Sequence, residues 1–310
     1  MKKWISSRPF ACFMIFAILI AARDSFSQLL LDQNIDPFFM VFCFFSITSV
    51  LAFAYGKIFK LKTIPLAENF KEKALLGVIT CSAFLLTLFG IKLIGASIFS
   101  LVEHCLIPIS TFFLAVHLLK DNASKSMYVG IIISVVSVLL FLFAINDYEF
   151  IVFKKDWIAG ILIAVLCSLL TSISSIFQKK LLLKNHEPYQ VLLARFTLPS
   201  AMVFVFLLLK GVEIPGFVNV LKIVIISIFF FSLPLLLLLQ GFVRSSMARF
   251  SIFNILIPSF TFLFNSLLFD NEFSKWSNRW VLLGTAGILV GHVIFEWEGL
   301  KSFLSRSKSG

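Results

Sequence analysis

Ten apolar runs, each of roughly 20 residues, follow one another along the chain with short connections between them. A helix needs about 20 apolar residues to cross the hydrocarbon core of a bilayer, and its backbone polar groups are satisfied there within the helix itself. The chain is therefore predicted to be an all-α membrane protein with ten transmembrane helices. The predicted spans are Pro9–Leu31, Pro37–Tyr55, Lys73–Ile94, Ala96–Leu119, Ser126–Ile145, Trp157–Lys179, Pro188–Leu209, Val220–Gly241, Ser246–Phe269 and Arg279–Phe295.

The composition excludes a soluble domain. Hydrophobic residues make up 59% of the 310 positions and charged residues 14%, whereas soluble domains are roughly half apolar and a quarter charged. The net charge of +11 does not indicate a nucleic-acid partner. The basic residues stand at the ends of apolar runs, where membrane topology and anionic lipid account for them. Lys and Arg are concentrated in the loops on one side, together with both termini, which predicts a cell-membrane protein with cytoplasmic termini.

Two segments of the chain are repeated about 150 residues later. QLLLDQNIDP at positions 28–37 is echoed by KLLLKNHEP at 180–188, and the stretch Leu106–Lys125 aligns without gaps with 256–275. Both members of the second pair contain Leu-Ile-Pro followed by Thr-Phe. Each copy holds five predicted helices, an odd number, so the second copy enters the membrane from the opposite side and inverted repeats are expected. The expected units are residues 1–146, residues 147–298 and a basic cytoplasmic tail at 299–310.

Ionisable side chains inside the predicted spans are the candidate functional residues. Glu103 and His104 lie about seven residues into the fourth span, and Asn254 is the repeat counterpart of His104. Asp24 and Gln28 are four residues apart in the first span and share a helix face. Such residues are costly at membrane depth and commonly mark a substrate or proton path, while a structural hydrogen bond between helices is the alternative for each.

Arg195 in the seventh span could bind a carboxylate or phosphate of a substrate, or anchor the helix to a neighbour. Gly287 and Gly291 form a GxxxG pattern in the last span, which predicts close helix packing and allows a homodimer contact. The five cysteines show no paired spacing, so neither a metal nor another cofactor is expected. The sequence also lacks a catalytic motif, which argues against an enzyme.

Several features together resemble a known family. They are the apolar runs that end before Pro37 and Pro188, the proline-bearing helices, and the polar hinges followed by Gly-bearing helices in KDNASKSMYVGIIISVVSVLL and FDNEFSKWSNRWVLLGTAGILVG. The chain resembles EamA-type permeases of the drug/metabolite transporter superfamily, as two tandem units. The resemblance implies ten helices around a central cavity lined mainly by spans one, three, four, six, eight and nine. Arg195 resembles the family's arginine in the seventh span, whereas Gln28 stands where some members have Lys.

The expected function is secondary-active transport of a small polar metabolite, an amino acid or a nucleotide-derived compound, by alternating access. Its partners would be the small-molecule substrate and the lipid bilayer. The six candidate residues for substrate binding or coupling are Asp24, Gln28, Glu103, His104, Arg195 and Asn254. Two alternatives stay open at this point. One is export of drugs or amphipathic metabolites, and the other is a membrane enzyme or flippase subunit that handles lipid-linked substrates.

Overall fold

The computed structural model describes residues 9–61, 68–120, 124–133, 135–137, 155–245, 247, 250, 253–269, 287, 290–291 and 294. Within these ranges every regular element is helical, and seven helices are long and apolar enough to cross a membrane. The helices are α1 (Pro9–Asp32), α2 (Pro37–Ile58), α3 (Phe70–Ile94), α4 (Ala96–Leu118), α5 (Lys125–Ser137), α6 (Lys155–Leu183), α7 (Pro188–Lys210), α8 (Phe217–Ile226), α9 (Leu233–Arg244) and α10 (Ile257–Leu268).

The predicted spans one to four and six to eight correspond to the seven long helices, and α8 and α9 together form the eighth. The described part of the fifth span is the shorter helix α5, and that of the ninth span includes a 3-10 turn, Asn254–Leu256, followed by α10. Of the tenth span only four positions are described, all helical. Part of each of these three spans lies outside the described residues, so the count of ten stays a prediction.

The eighth span is not the plain helix that its composition predicts. Its central turn, Ser227–Ser232, is π-helical, and Leu233 N–H bonds the Ile228 carbonyl five residues back. Pro234 follows directly. A proline inside an α-helix lacks an N–H and its ring collides with the carbonyl four residues earlier, here that of Phe230. The wider turn accommodates Pro234, and it lies just before the part of α9 that reaches the centre of the bundle.

The repeated sequence motif produces the same local structure twice. Asn34 and Asn185 each end a helix in the left-handed conformation, with φ of 59° and 64°. The next helix then begins with an acidic cap and a proline in its first turn, which favours that start. Asp36 accepts the Phe38 N–H at 2.8 Å, and Glu187 forms a capping box at the start of α7.

The two copies of this motif lie at opposite ends of α3. Gln28, near the end of α1, accepts the N–H of Ala96 at 2.7 Å, just beyond the C-terminus of α3. Lys184, after the end of α6, contacts Glu72 in the first turn of α3 at 2.7 Å. A helix of 25 residues is about 37 Å long at 1.5 Å per residue, enough to cross a bilayer. The loop after α1 and the loop after α6 therefore face opposite sides of the bundle.

Helix packing pairs the two halves of the chain. Helix α1 packs against α9 and α10, α6 packs against α3 and α4, and α2 packs against α7. Small residues allow the closest approaches. A side chain on Gly90 would overlap the ring of Phe99, and one on Gly241 would overlap the ring of Phe13. Both rings are fully buried, at 0% and 1% exposure, so these glycines fix how near α3 and α4, and α1 and α9, can come.

Gly90→Ala is expected to destabilise the protein by about 1–2 kcal/mol, because overpacking a filled core costs about 1–3 kcal/mol and the gain in helix propensity offsets about 1. Gly77→Ala is the matched control in α3. Its new methyl would meet Pro199 at 3.1 Å, a tight but adjustable contact, and should change stability by less than about 1 kcal/mol. Melting of the purified variants in detergent tests this. A Gly90→Ala protein that melts at or above the wild-type temperature would show that the ring of Phe99 moves freely.

Candidate functional site

A cavity of about 50 Å³ lies in the middle of the bundle. Helices α1, α3, α4, α6 and α9 and the segment at Asn254 form its walls, and α7 contributes Arg195. Its volume suits one or two waters, since each occupies about 30 Å³, and is far below the roughly 300–1,000 Å³ of small-molecule sites. The helices must therefore separate before a metabolite can enter. The polar lining residues are Arg23, Thr87, Glu103, His104, Thr171, Ser174, Ser175, Arg195 and Asn254.

Arg23, Asp24 and His104 form a cluster of ionisable side chains beside the cavity. Arg23 Nε donates to Asp24 Oδ1 at 2.8 Å, so the long guanidinium side chain folds back onto the next residue. Neighbours on a helix are expected to point apart, which holds for their Cβ atoms but ignores the length of an arginine. His104 Nε2 is 3.5 Å from the other carboxylate oxygen, Asp24 Oδ2. Asp24 is 1% exposed, and the guanidinium stands between it and the cavity wall.

Glu103 reaches the same cavity from α4. Its Oε1 atom accepts hydrogen bonds from Cys167 at 3.1 Å and from Thr171 at 3.3 Å, both on α6. Its Oε2 atom is buried and makes no hydrogen bond to the described residues. No described cation lies within 4 Å of this carboxyl group either. A buried carboxylate without a cation is costly, so the group needs a proton or a positively charged ligand.

Arg195 is held by neutral groups. Its Nε donates to Thr80 Oγ1 and its Nη1 to Gln178 Oε1, each at 3.1 Å. The guanidinium also stacks near the rings of Phe84 and Phe196, with the central carbon 5.8 Å and 5.0 Å from their centroids. Among the described residues, no carboxylate lies within 4 Å of it. Arg23 has a counter-ion, and Arg195 has none among the described residues, although both line the cavity.

The six candidate residues from the sequence fall into two groups. Glu103, His104, Arg195 and Asn254 line the cavity. Asp24 is buried behind Arg23, and the amide oxygen of Gln28 caps the N-terminus of α4 instead of reaching the cavity. Asp24 and Gln28 therefore contact different neighbours, although they lie on one face of α1.

Sequence reasoning missed Arg23 as a lining residue, together with the hydroxyl residues of α6. The signal for Arg23 was present, because it is a cation deep inside an apolar span. Thr171, Ser174 and Ser175 carried no such signal. Small hydroxyl residues are common wherever transmembrane helices pack closely, whether or not a cavity is nearby.

Gly287 of the last span packs inside the chain. A side chain there would overlap Ser137 of α5, so this glycine brings the last span close to the fifth. Gly287 is half-buried, and Gly291, one turn on, is buried. A homodimer contact through this pair stays a prediction.

The chain is similar to a known protein family and to a solved structure. A family model described as the EamA-like transporter family matches the chain twice, over residues 9–143 and over residues 158–293. No curated protein matches the sequence. One solved crystal structure is similar over 92% of this chain and 95% of its own, with a TM-score of 0.69 and 15% identity. At that identity the likeness shows the fold alone.

Proposed function

Because the chain belongs to the EamA-like transporter family, we propose that it is a secondary-active transporter of a small polar metabolite, an amino acid or a nucleotide-derived compound. Members of this family are membrane transporters, and a multi-pass helical bundle fits that role. The observation that carries the proposal is the central cavity, whose wall holds a guanidinium with no counter-ion and a carboxyl group with no cation in the described part of the chain. We place the protein in the cell membrane with both termini cytoplasmic, as the distribution of Lys and Arg favours.

The proposed mechanism is alternating access by two inverted five-helix repeats. The double family match and the two loop motifs at opposite ends of α3 support it. The packing pattern also fits an inverted repeat, because α1 contacts α9 and α10 while its repeat counterpart α6 contacts α3 and α4. Rocking of one repeat against the other would expose the cavity between them to one side at a time.

In this mechanism two polar contacts close the central cavity, one towards each side of the membrane. Gln28 on α1 accepts the Ala96 N–H where α3 passes into α4. Lys179 on α6 donates to the carbonyls of Phe242 and Ser245, where α9 ends. Gln28 and Lys179 are 151 residues apart, as are Pro37 and Pro188. In this mechanism one contact opens while the other holds, so the cavity never connects both sides.

Proton coupling through Glu103 or His104 is part of the proposal. Glu103 is the one acid that lines the cavity within the described part of the chain, and both ring nitrogens of His104 are buried without a hydrogen bond to the described residues. An imidazole ring can bind and release a proton, which suits a proton-linked step. Binding a proton here would satisfy a buried carboxyl group at the moment when no positively charged ligand is present.

Export of drugs or amphipathic metabolites is the second candidate. The apolar side of the cavity favours it, since six of the lining residues are large and hydrophobic. They are Phe16, Ile20, Phe84, Leu235, Leu238 and Phe250. An amphipathic cation would contact these side chains and Glu103, and would leave Arg195 without a partner.

Counterflow in proteoliposomes tests the proposal. Vesicles that contain the protein are loaded with unlabelled amino acids, nucleosides or nucleotides and exposed to the same compound in labelled form. A transporter is expected to accumulate label from one chemical class only, and protein-free vesicles should accumulate none. The proposal fails if every labelled compound stays outside. Lipophilic cations are tested in the same way, and exchange of these compounds alone would favour the exporter over the metabolite transporter.

A further inference from the structure

We propose that the transported compound carries a single carboxylate, and that Arg195 is the residue that binds it. This inference rests on the proposed transport function and narrows its substrate class. The juxtaposition behind it is a buried guanidinium that has only neutral partners, in the wall of a mostly apolar cavity.

The two arginines in the cavity wall differ in their partners. Arg23 is neutralised by Asp24 at hydrogen-bond distance. Arg195 is 6% exposed, and no carboxylate of the described residues lies within 4 Å of it. A buried charge without a partner is costly, which an anionic ligand would relieve. The protein thus leaves one positive charge uncompensated beside the cavity.

The guanidinium of Arg195 has more N–H donors than its described neighbours use. A guanidinium has five N–H donors in a fixed plane. The Nε–H of Arg195 is used by Thr80 and one Nη1–H by Gln178, which leaves three of the five donors for a ligand. Two parallel N–H groups on one edge match the two oxygens of a carboxylate. The hydrogen bonds to Thr80 and Gln178 fix the plane of the guanidinium, so the group is oriented before a ligand arrives.

The small number of cations at the cavity favours a carboxylate over a phosphate as the ligand of Arg195. A phosphate monoester carries a charge near −2 at neutral pH and is commonly met by several cations. Only one uncompensated cation faces this cavity among the described residues, and Glu103 lines the same space. A second negative charge on the ligand would approach that acid without a cation to offset it. With Glu103 protonated, the single negative charge of a monocarboxylate balances Arg195, and the additional charge of a nucleotide stays without a cation.

The remainder of the ligand is expected to be small and at least partly apolar. Phe84 stacks near both arginines, with its centroid 5.3 Å from the Arg23 guanidinium and 5.8 Å from that of Arg195. Leu235 and Leu238 of α9 face the same space. An apolar substituent would bury against these side chains, while the carboxylate points to Arg195.

The test compares compounds that differ only in the carboxylate. Counterflow competition is measured with leucine and leucinamide, with butyrate and butyramide, and with uridine monophosphate. At least one carboxylate is expected to compete at least about tenfold better than its amide, since a hydrogen-bonded charge pair is worth about that factor or more. Arg195→Gln should remove this preference. Arg195→Lys should keep the preference and weaken binding, because Lys retains the charge without the fork.

Lys210→Gln is the matched control. It also removes one cation, but at an exposed ion pair with Asp36 outside the cavity, and the carboxylate preference should stay unchanged. Equal competition by carboxylate and amide in both pairs in the wild type, or stronger competition by uridine monophosphate, would overturn the inference while leaving transport established. A preference that survives in Arg195→Gln would overturn it too. If Arg195→Gln does not fold, the inference is tested by the carboxylate and amide pairs on the wild type and by the Arg195→Lys variant. Absence of any exchange would instead defeat the proposed function itself.

Discussion

Glu103→Gln is expected to lower the transport rate at least about tenfold and to remove its dependence on pH between about pH 5 and pH 8. The carboxyl group lines the cavity and has only neutral hydrogen-bond donors, Cys167 and Thr171. Gln keeps the shape and an acceptor oxygen for these donors, but it cannot bind or release a proton. The measurement is counterflow and gradient-driven uptake at several pH values in proteoliposomes.

Glu72→Gln is the control for this substitution. Glu72 is also an acid, but it pairs with Lys184 at 2.7 Å near the bundle surface, far from the cavity. Its replacement should leave both the rate and the pH profile close to wild type. Unchanged transport and an unchanged pH profile in Glu103→Gln would rule out proton coupling through this residue.

Asp24→Asn is expected to lower the free energy of unfolding by about 3–5 kcal/mol, a larger loss than that of Gly90→Ala. Asp24 is 1% exposed and is the counter-ion of Arg23. Without it, two buried guanidiniums would face the ring of Phe84, and neither would have a described acid within 4 Å. Breaking a buried pair is costly because the remaining charge is stranded away from water. Melting of the purified protein in detergent measures the loss.

Asp36→Asn is the matched control, because it breaks an ion pair with Lys210 in which both side chains are partly exposed. Asn also caps helices well, so the loss should stay below about 1 kcal/mol. Combining Asp24→Asn with Arg23→Gln should recover much of the lost stability, since no stranded charge remains at that pair. A single Asp24→Asn variant that melts like Asp36→Asn would show that the Arg23–Asp24 pair does not hold the bundle together.

Residues that are anomalous in themselves could be identified from the sequence. Glu103, His104 and Arg195 are ionisable residues inside apolar runs, and all three line the cavity. Asn254 was found through the internal repeat, as the counterpart of His104. For the three ionisable residues, the residue type and its depth in a span were sufficient, because an ionisable side chain inside an apolar span is costly unless it faces a partner or a water-filled cavity.

Partners of these residues could not be predicted. Gln28 shares a helix face with Asp24, yet it bonds Ala96, which packing of the α3–α4 turn brings beside α1. Arg23 pairs with its own neighbour, which depends on how the guanidinium folds back. The π-helical turn before Pro234 is a third case. The proline is visible in the sequence, but whether the helix kinks, breaks or widens depends on the helices packed around it.

Alternating access through the central cavity is tested most directly by the accessibility of Ser175→Cys. Ser175 lines the cavity and is 4% exposed. The variant is treated with a membrane-impermeant thiol reagent in right-side-out and inside-out vesicles, with the wild type as the blank for the five native cysteines. Leu198→Cys, at 42% exposure on the outer surface of α7, is the control that faces lipid and should react from neither side. We expect Ser175→Cys to react from both sides, and a transported substrate to change both rates. Reaction from one side only, with or without substrate, would contradict alternating access.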